Sequence, residues 1–250
     1  MRMRKRHNLG PRMERCADML ITAPGEQKGN WRSHMPSCTH LWLELGCGKG
    51  RFTADLAESE PEALLIALER VPAAMIIAME RVKNRELANV RFIDADAKEL
   101  PEYFSAAEVD RIFINFCDPW PKSRDAKLRL TAPAFLRRYS DILPVGGEIH
   151  FKTDNAPLFD WSVARFEEEN WEIRELTHDL HENGPVGIMT DYEAKFYADG
   201  MKINRLVAMK TERTPGIAAG PLPRLKNASL TDARGYLEST AAFANRKEQE

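Results

Sequence analysis

Between Leu41 and Lys210 the chain alternates two kinds of segment. Short apolar, β-rich runs (LWLEL, LLIALE, VRFIDA, RIFINF, EIHFKT, WEIRELT and RLVAMK) read as strands. Between them, GRFTADLAES, VPAAMIIAMERVKNREL, TAPAFLRRYSDIL and NAPLFDWSVARFEEEN repeat apolar residues at helical spacing. Pro72 and Pro133 fall where a first helical turn accepts proline. Alternation at this interval predicts right-handed βαβ units and an α/β fold with a doubly wound, mostly parallel sheet. The pattern divides the chain into a basic N-terminal arm packed on the main domain (1–38), the α/β domain (39–210) and a C-terminal extension (211–250). The extension opens with the turn-rich TERTPGIAAGPLPRLKNASL, which reads as a linker, and ends with ARGYLESTAAFANRKEQE, a candidate amphipathic helix.

Glycines and acids sit where such a sheet binds ligands. The first strand runs into ELGCGKG, placing Glu44 before Gly46, Gly48 and Gly50. Alternating glycines let backbone approach a ligand closely, although GxGxG is not the dinucleotide spacing GxGxxG. The next strands end at Glu69, Asp96 and Asp118, so four successive strands bring an acid to one carboxyl edge. An acid ending the second strand suits ribose hydroxyls. Glu44 beside the glycines would repel a pyrophosphate but suits a ligand with an amino group and a positive centre. S-adenosylmethionine has both, and its adenine amine could donate to Asp96.

Asp118 opens the stretch DPWPKSRDAKLRL. Prolines on both sides stiffen the backbone around Trp120, whose face suits a base or the cofactor. Lys122, Arg124, Lys127 and Arg129 follow, interrupted by Asp125, and read as phosphate contacts beside the reacting group. The arm adds Arg2, Arg4, Lys5, Arg6, Arg12 and Arg15. With a net charge of −2 these patches are local, which suits a shaped nucleic acid better than indiscriminate binding.

LELGCGKG, DPWPKSRDAKLRL, HFKTDN and MTDYEAKF together resemble the tRNA (guanine-N7)-methyltransferases, enzymes that methylate a variable-loop guanosine. MRMRKR and KGNW also resemble bacterial members, and the resemblance spans roughly residues 1–210. It implies a class I methyltransferase: a seven-stranded, mostly parallel sheet with one antiparallel strand near the C-terminus. Glu44, Glu69, Asp96 and Asp118 match cofactor positions, and Asp118 also matches the proposed catalytic acid. Lys122, Asp154, Thr190, Asp191, Tyr192 and Glu193 match substrate positions, and residues 124–129 the RNA-contacting segment. The family pattern K-x-R-H-x-K-R-R-L is altered here, with Asp125 in place of histidine and Leu128 in place of arginine. Asp154 and Glu193 are the loop carboxylates expected to accept from guanine N1–H and its 2-amino group.

The remaining features are bland. Cys16, Cys38, Cys47 and Cys117 form no CxxC pair, which favours a reducing, cytoplasmic setting without zinc or disulfides. His178 and His181 in HDLH lack partners for a metal, so none is expected. Apolar runs are too short to span a membrane. A monomer and a homodimer both stay open. The rival readings are a methyltransferase acting on another RNA base position, such as an exocyclic amine, and a non-catalytic tRNA-binding relative. A nicotinamide oxidoreductase is disfavoured by Glu44.

Overall fold

The computed structural model describes residues 8–225 and 228–230. Arg2, Arg4, Lys5, Arg6 and the helix expected from Ala233 to Glu250 lie outside the described residues.

One sheet carries seven strands: β1 (His40–Leu45), β2 (Ala63–Leu68), β3 (Val90–Ile93), β4 (Arg111–Asn115), β5 (Glu148–Thr153), β6 (Glu172–Thr177) and β7 (Asn204–Met209). Their order is β3-β2-β1-β4-β5-β7-β6. Strands β1 to β5 pair in parallel, and β7 runs antiparallel between β5 and β6. The expected doubly wound sheet, with its single reversed strand, is therefore present. After β3 the chain crosses back over β1 to form β4. A crevice opens at the carboxyl ends of β1 and β4, where the winding changes direction.

Among the described residues seven α-helices accompany the sheet: α1 (Leu9–Arg15), α2 (Arg51–Ser59), α3 (Pro72–Asn84), α4 (Leu100–Tyr103), α5 (Pro133–Ile142), α6 (Ala156–Glu168) and α7 (Asp191–Ala198). Helices on both faces explain why all six residues of β2 are buried. Alternation along β1 separates two cores. Leu41, Leu43 and Leu45 join Leu136 and Phe159 on one face, while Trp42 joins Phe52, Met75 and Met79 on the other.

Both flanks are built into this body. Ile21 N–H donates to the Phe92 carbonyl at 2.9 Å, and the Trp31 indole, fully buried, donates to Tyr103 O and stacks on Phe104. Arg12 and Arg32 are held by Glu80 and Asp110, so these two arm cations serve folding. Beyond β7, residues 211–225 are turn-rich as expected, yet they do not behave as a linker. Ile217 N–H donates to Asp141, Arg137 donates to Gly220 O, and Leu225 and Leu230 pack on the core beside buried Ala228.

Candidate functional site

Three of the four acids, Glu69, Asp96 and Asp118, line the crevice, while Glu44 is buried within β1. Glu44 lies inside β1, 1% exposed, and accepts from Thr53 Oγ1 at 2.6 Å and Asn115 Nδ2 at 3.4 Å. Burial is the main cause that pushes its carboxyl up to about 7. A carboxyl raised this way favours folding in its protonated form, so its contribution is full below pH 4.5 and is lost as pH rises through 7. Glu44→Gln is therefore expected to gain stability relative to the parent between pH 5 and 8, by roughly 3 kcal/mol at most. Urea unfolding at the two pH values checks this; parallel curves would discount the buried charge.

Glu69, just past β2, accepts from the N–H groups of Gly48 and Val71, both at 2.8 Å. It thus fixes the glycine loop while keeping lone pairs for a further donor. Asp96 accepts from Lys98 N–H at 3.0 Å and pairs with Arg70 at 3.0 Å. Asp118 is exposed and has no hydrogen-bond or ion-pair partner among the described residues. Its carboxylate is the unspent one of the four.

Glu69, Asp96 and Asp118 line a cavity of about 530 Å³, together with Gly46, Ala97, Asn115, Trp120 and Leu130. The glycines divide their labour more than their spacing suggests. Gly46 and Gly48 have φ of +77° and +58°, and Gly46 faces the cavity. Gly48 spends its N–H on Glu69, and a Cβ at Gly50 would overlap Ala78 of α3. Gly50 is therefore required where the loop packs against α3.

Asp118 stands on a turn whose shape is fixed by unusual backbone. Phe116 and Trp120, on either side of it, have φ of +54° and +43°, a region disfavoured for bulky residues. Lys122, Arg124 and Lys127 emerge from this turn exposed, as phosphate-contacting residues must be. Arg129 does not. It is fully buried, and it donates to the carbonyls of Pro119 and Trp120 while lying 4.3 Å over the Trp161 ring. Its expected phosphate contact is thus corrected: the guanidinium grips the turn. Burial pushes the Cys117 thiol up to about 12, which excludes a thiolate nucleophile.

Asp154 directly follows β5, next to the end of β4, half-buried and without a partner among the described residues. Glu193 is different, and its expected loop position is overturned. It is the third residue of α7, in a capping box with Thr190, and fully buried. Lys152 Nζ donates to it at 2.6 Å, and Thr190 N–H at 3.2 Å. His181 Nδ1 accepts from Val186 N–H, so its Nε2 carries the proton and donates to Glu193 at 3.1 Å. Both oxygens are engaged, and Glu193 anchors the start of α7 to β5. Asp191 likewise pairs with Arg81 of α3 at 3.2 Å, while Tyr192 is 62% exposed beside Phe196. Lys152, a cation buried in β5, carries one local signal in the sequence, its position within the strand run EIHFKT.

Comparison with known proteins agrees with this geometry. A family model described as "Putative methyltransferase" matches residues 39–206. The tRNA (guanine-N(7)-)-methyltransferase of Exiguobacterium sp. is 40% identical over 210 residues, covering 83% of this chain and 98% of that protein. The chain belongs to the tRNA (guanine-N7)-methyltransferase family. The enzyme of the same description from Bacillus cytotoxicus is 38% identical, covering 83% of this chain and 96% of the relative. Among solved structures, the 16S rRNA methyltransferase KamB superposes with a TM-score of 0.57 at 17% identity, covering 73% of this chain and 93% of that one. That likeness concerns the fold.

S-adenosylmethionine is the cofactor of this family, and the cavity fits it. Glu69 offers acceptors where ribose hydroxyls bind in such sheets. Asp96 and Ala97 line the wall one strand further out, where an adenine amine would meet an acceptor. Among the described residues no group of three or more His, Cys, Asp or Glu could hold a metal ion.

Proposed function

We infer that the chain transfers the methyl group of S-adenosylmethionine to N7 of a guanosine in tRNA, and that the target lies in the variable loop. Unspent Asp118, at the cavity wall and at the start of an exposed cationic turn, carries the reading. When bound, the cofactor supplies an electrophilic methyl on a sulfonium.

Guanine N7 has an in-plane lone pair, so no proton need be removed before attack. The residues' task is orientation and charge. Asp118, without a partner of its own, stabilises the positive charge that grows on the guanine imidazole ring. Asp154, one strand over, is left as the acceptor for N1–H and the 2-amino group. Tyr192 offers a ring for stacking, and Lys122, Arg124 and Lys127 position the phosphates. The reading places the chain in the cytoplasm; among the described residues no helix is long and apolar enough to cross a membrane. It is compatible with a monomer or a homodimer.

Methyl-labelled S-adenosylmethionine with an unmodified tRNA, beside a transcript whose variable-loop guanosine is adenosine, tests the assignment. Label on the first alone supports it; label on both removes the variable-loop target, and label on neither removes the activity. Asp154→Ala is expected to lower discrimination for guanosine by about 1–3 kcal/mol while cofactor binding is kept. Competition between guanosine and inosine transcripts, the latter lacking the 2-amino group, measures it.

A further inference from the structure

Resting on the reading of Asp118 above, we propose that residues 211–225 and 228–230 support the methyl-transfer site, acting through Arg129 to hold the turn that carries Asp118. This segment lies beyond the span of the family match, which ends at residue 206.

Arg129 joins three parts of the molecule through one guanidinium. Its Nε donates to Pro119 O at 3.0 Å and its Nη2 to Trp120 O at 2.8 Å. The same Nη2 donates to Ala228 O at 2.6 Å, and the group lies over Trp161 of α6. A second link runs alongside, from Leu230 N–H to Pro121 O at 3.1 Å. Carbonyls of three consecutive residues after Asp118 are thus held by Arg129 or by the segment itself. Ala228 is buried at 7% exposure, and Leu225 and Leu230 pack beside it. The segment is moored upstream by Asp141 and Arg137 of α5.

The turn needs such restraint. Phe116 and Trp120 occupy positive φ, which bulky side chains hold only when neighbours over-determine it. Arg129 is suited to the role because its planar fork reaches several carbonyls at once; a lysine has no such fork. Arg129 and Ala228 are therefore positioning residues: neither lines the cavity, and both act through the backbone beside Asp118.

The test uses the full chain with Ala228→Glu, which crowds a buried contact, and separately Arg129→Lys, which keeps the charge. Readouts are kcat, cofactor Kd, the melting midpoint, and the fluorine resonance of Trp120 in protein labelled with fluorotryptophan. The expected result is a kcat at least tenfold lower for Ala228→Glu, with cofactor Kd within threefold of the parent and a shifted or broadened Trp120 resonance. Arg129→Lys should move the same readouts in the same direction. The double variant should be no worse than the poorer single one, because both act on one turn. The proposal is overturned if both variants keep kcat within twofold. It is equally overturned if kcat, cofactor affinity and melting midpoint fall together while the Trp120 resonance stays put, since the segment would then serve only the fold.

Discussion

Replacing Asp118 by asparagine is expected to lower kcat about a hundredfold or more while leaving cofactor affinity within a few-fold. That is roughly 2.7 kcal/mol of lost transition-state stabilisation. The variant keeps the size and most hydrogen-bonding capacity of the side chain and removes its charge. Asp118 bonds to no other described residue, so its loss leaves no orphaned group and should spare the fold. Glu69 and Asp96 remain to bind the cofactor. Single-turnover methylation of tRNA with calorimetry of cofactor binding separates the two effects. Near-normal turnover would show that orientation alone drives the reaction and that the charge on Asp118 is dispensable.

The second large effect lies in stability. Glu193→Ala is expected to cost about 3–5 kcal/mol, because Lys152 is left buried and uncompensated. The α7 cap loses the Thr190 N–H to Glu193 carboxylate bond at the same time, while the residue-193 N–H still reaches Thr190 Oγ1. Helix α7 carries Tyr192 and is tied to α3 through Asp191 and Arg81, so tRNA turnover should fall with it. Replacing the pair together, as Lys152→Met with Glu193→Leu, should recover much of the stability, since well-packed apolar groups often match a buried ion pair. Urea unfolding of the single and double variants measures both. A single variant as stable as the parent would return Glu193 to the candidates for base recognition.

These two carboxylates show what the sequence makes legible and what it hides. Asp118 is readable because its strand is a plain apolar run and its interval from Asp96 equals one βα unit. The carboxyl edge collects such residues by topology alone. Glu193 has an equally local signal: Thr190 and Glu193 form T-x-x-E, the signature of a capped helix start. Motif matching draws attention to the four residues as a substrate loop and away from their helical role. Arg129 has no local signal. Its burial depends on Trp161, which is 32 positions away, and on Ala228 at a separation of 99. A window across the cationic run sees only another solvated charge. Gly50 is hidden for the same reason, since its neighbour Ala78 belongs to the next helix. Periodicity thus identifies the elements and the edge they share, while long-range contacts decide which polar residues on that edge are free to act.

The place of β7 between β5 and β6 has a consequence for synthesis on the ribosome. β6 is made before β7, the strand it pairs with in the sheet of described residues, and until residues 204–209 emerge, β5 presents an open edge. A nascent chain stalled in this interval carries two unsatisfied strand edges, the species most prone to pair with another chain. Commitment to the native sheet therefore waits for the last strand, and premature termination shortly before it should yield aggregates instead of a shortened enzyme.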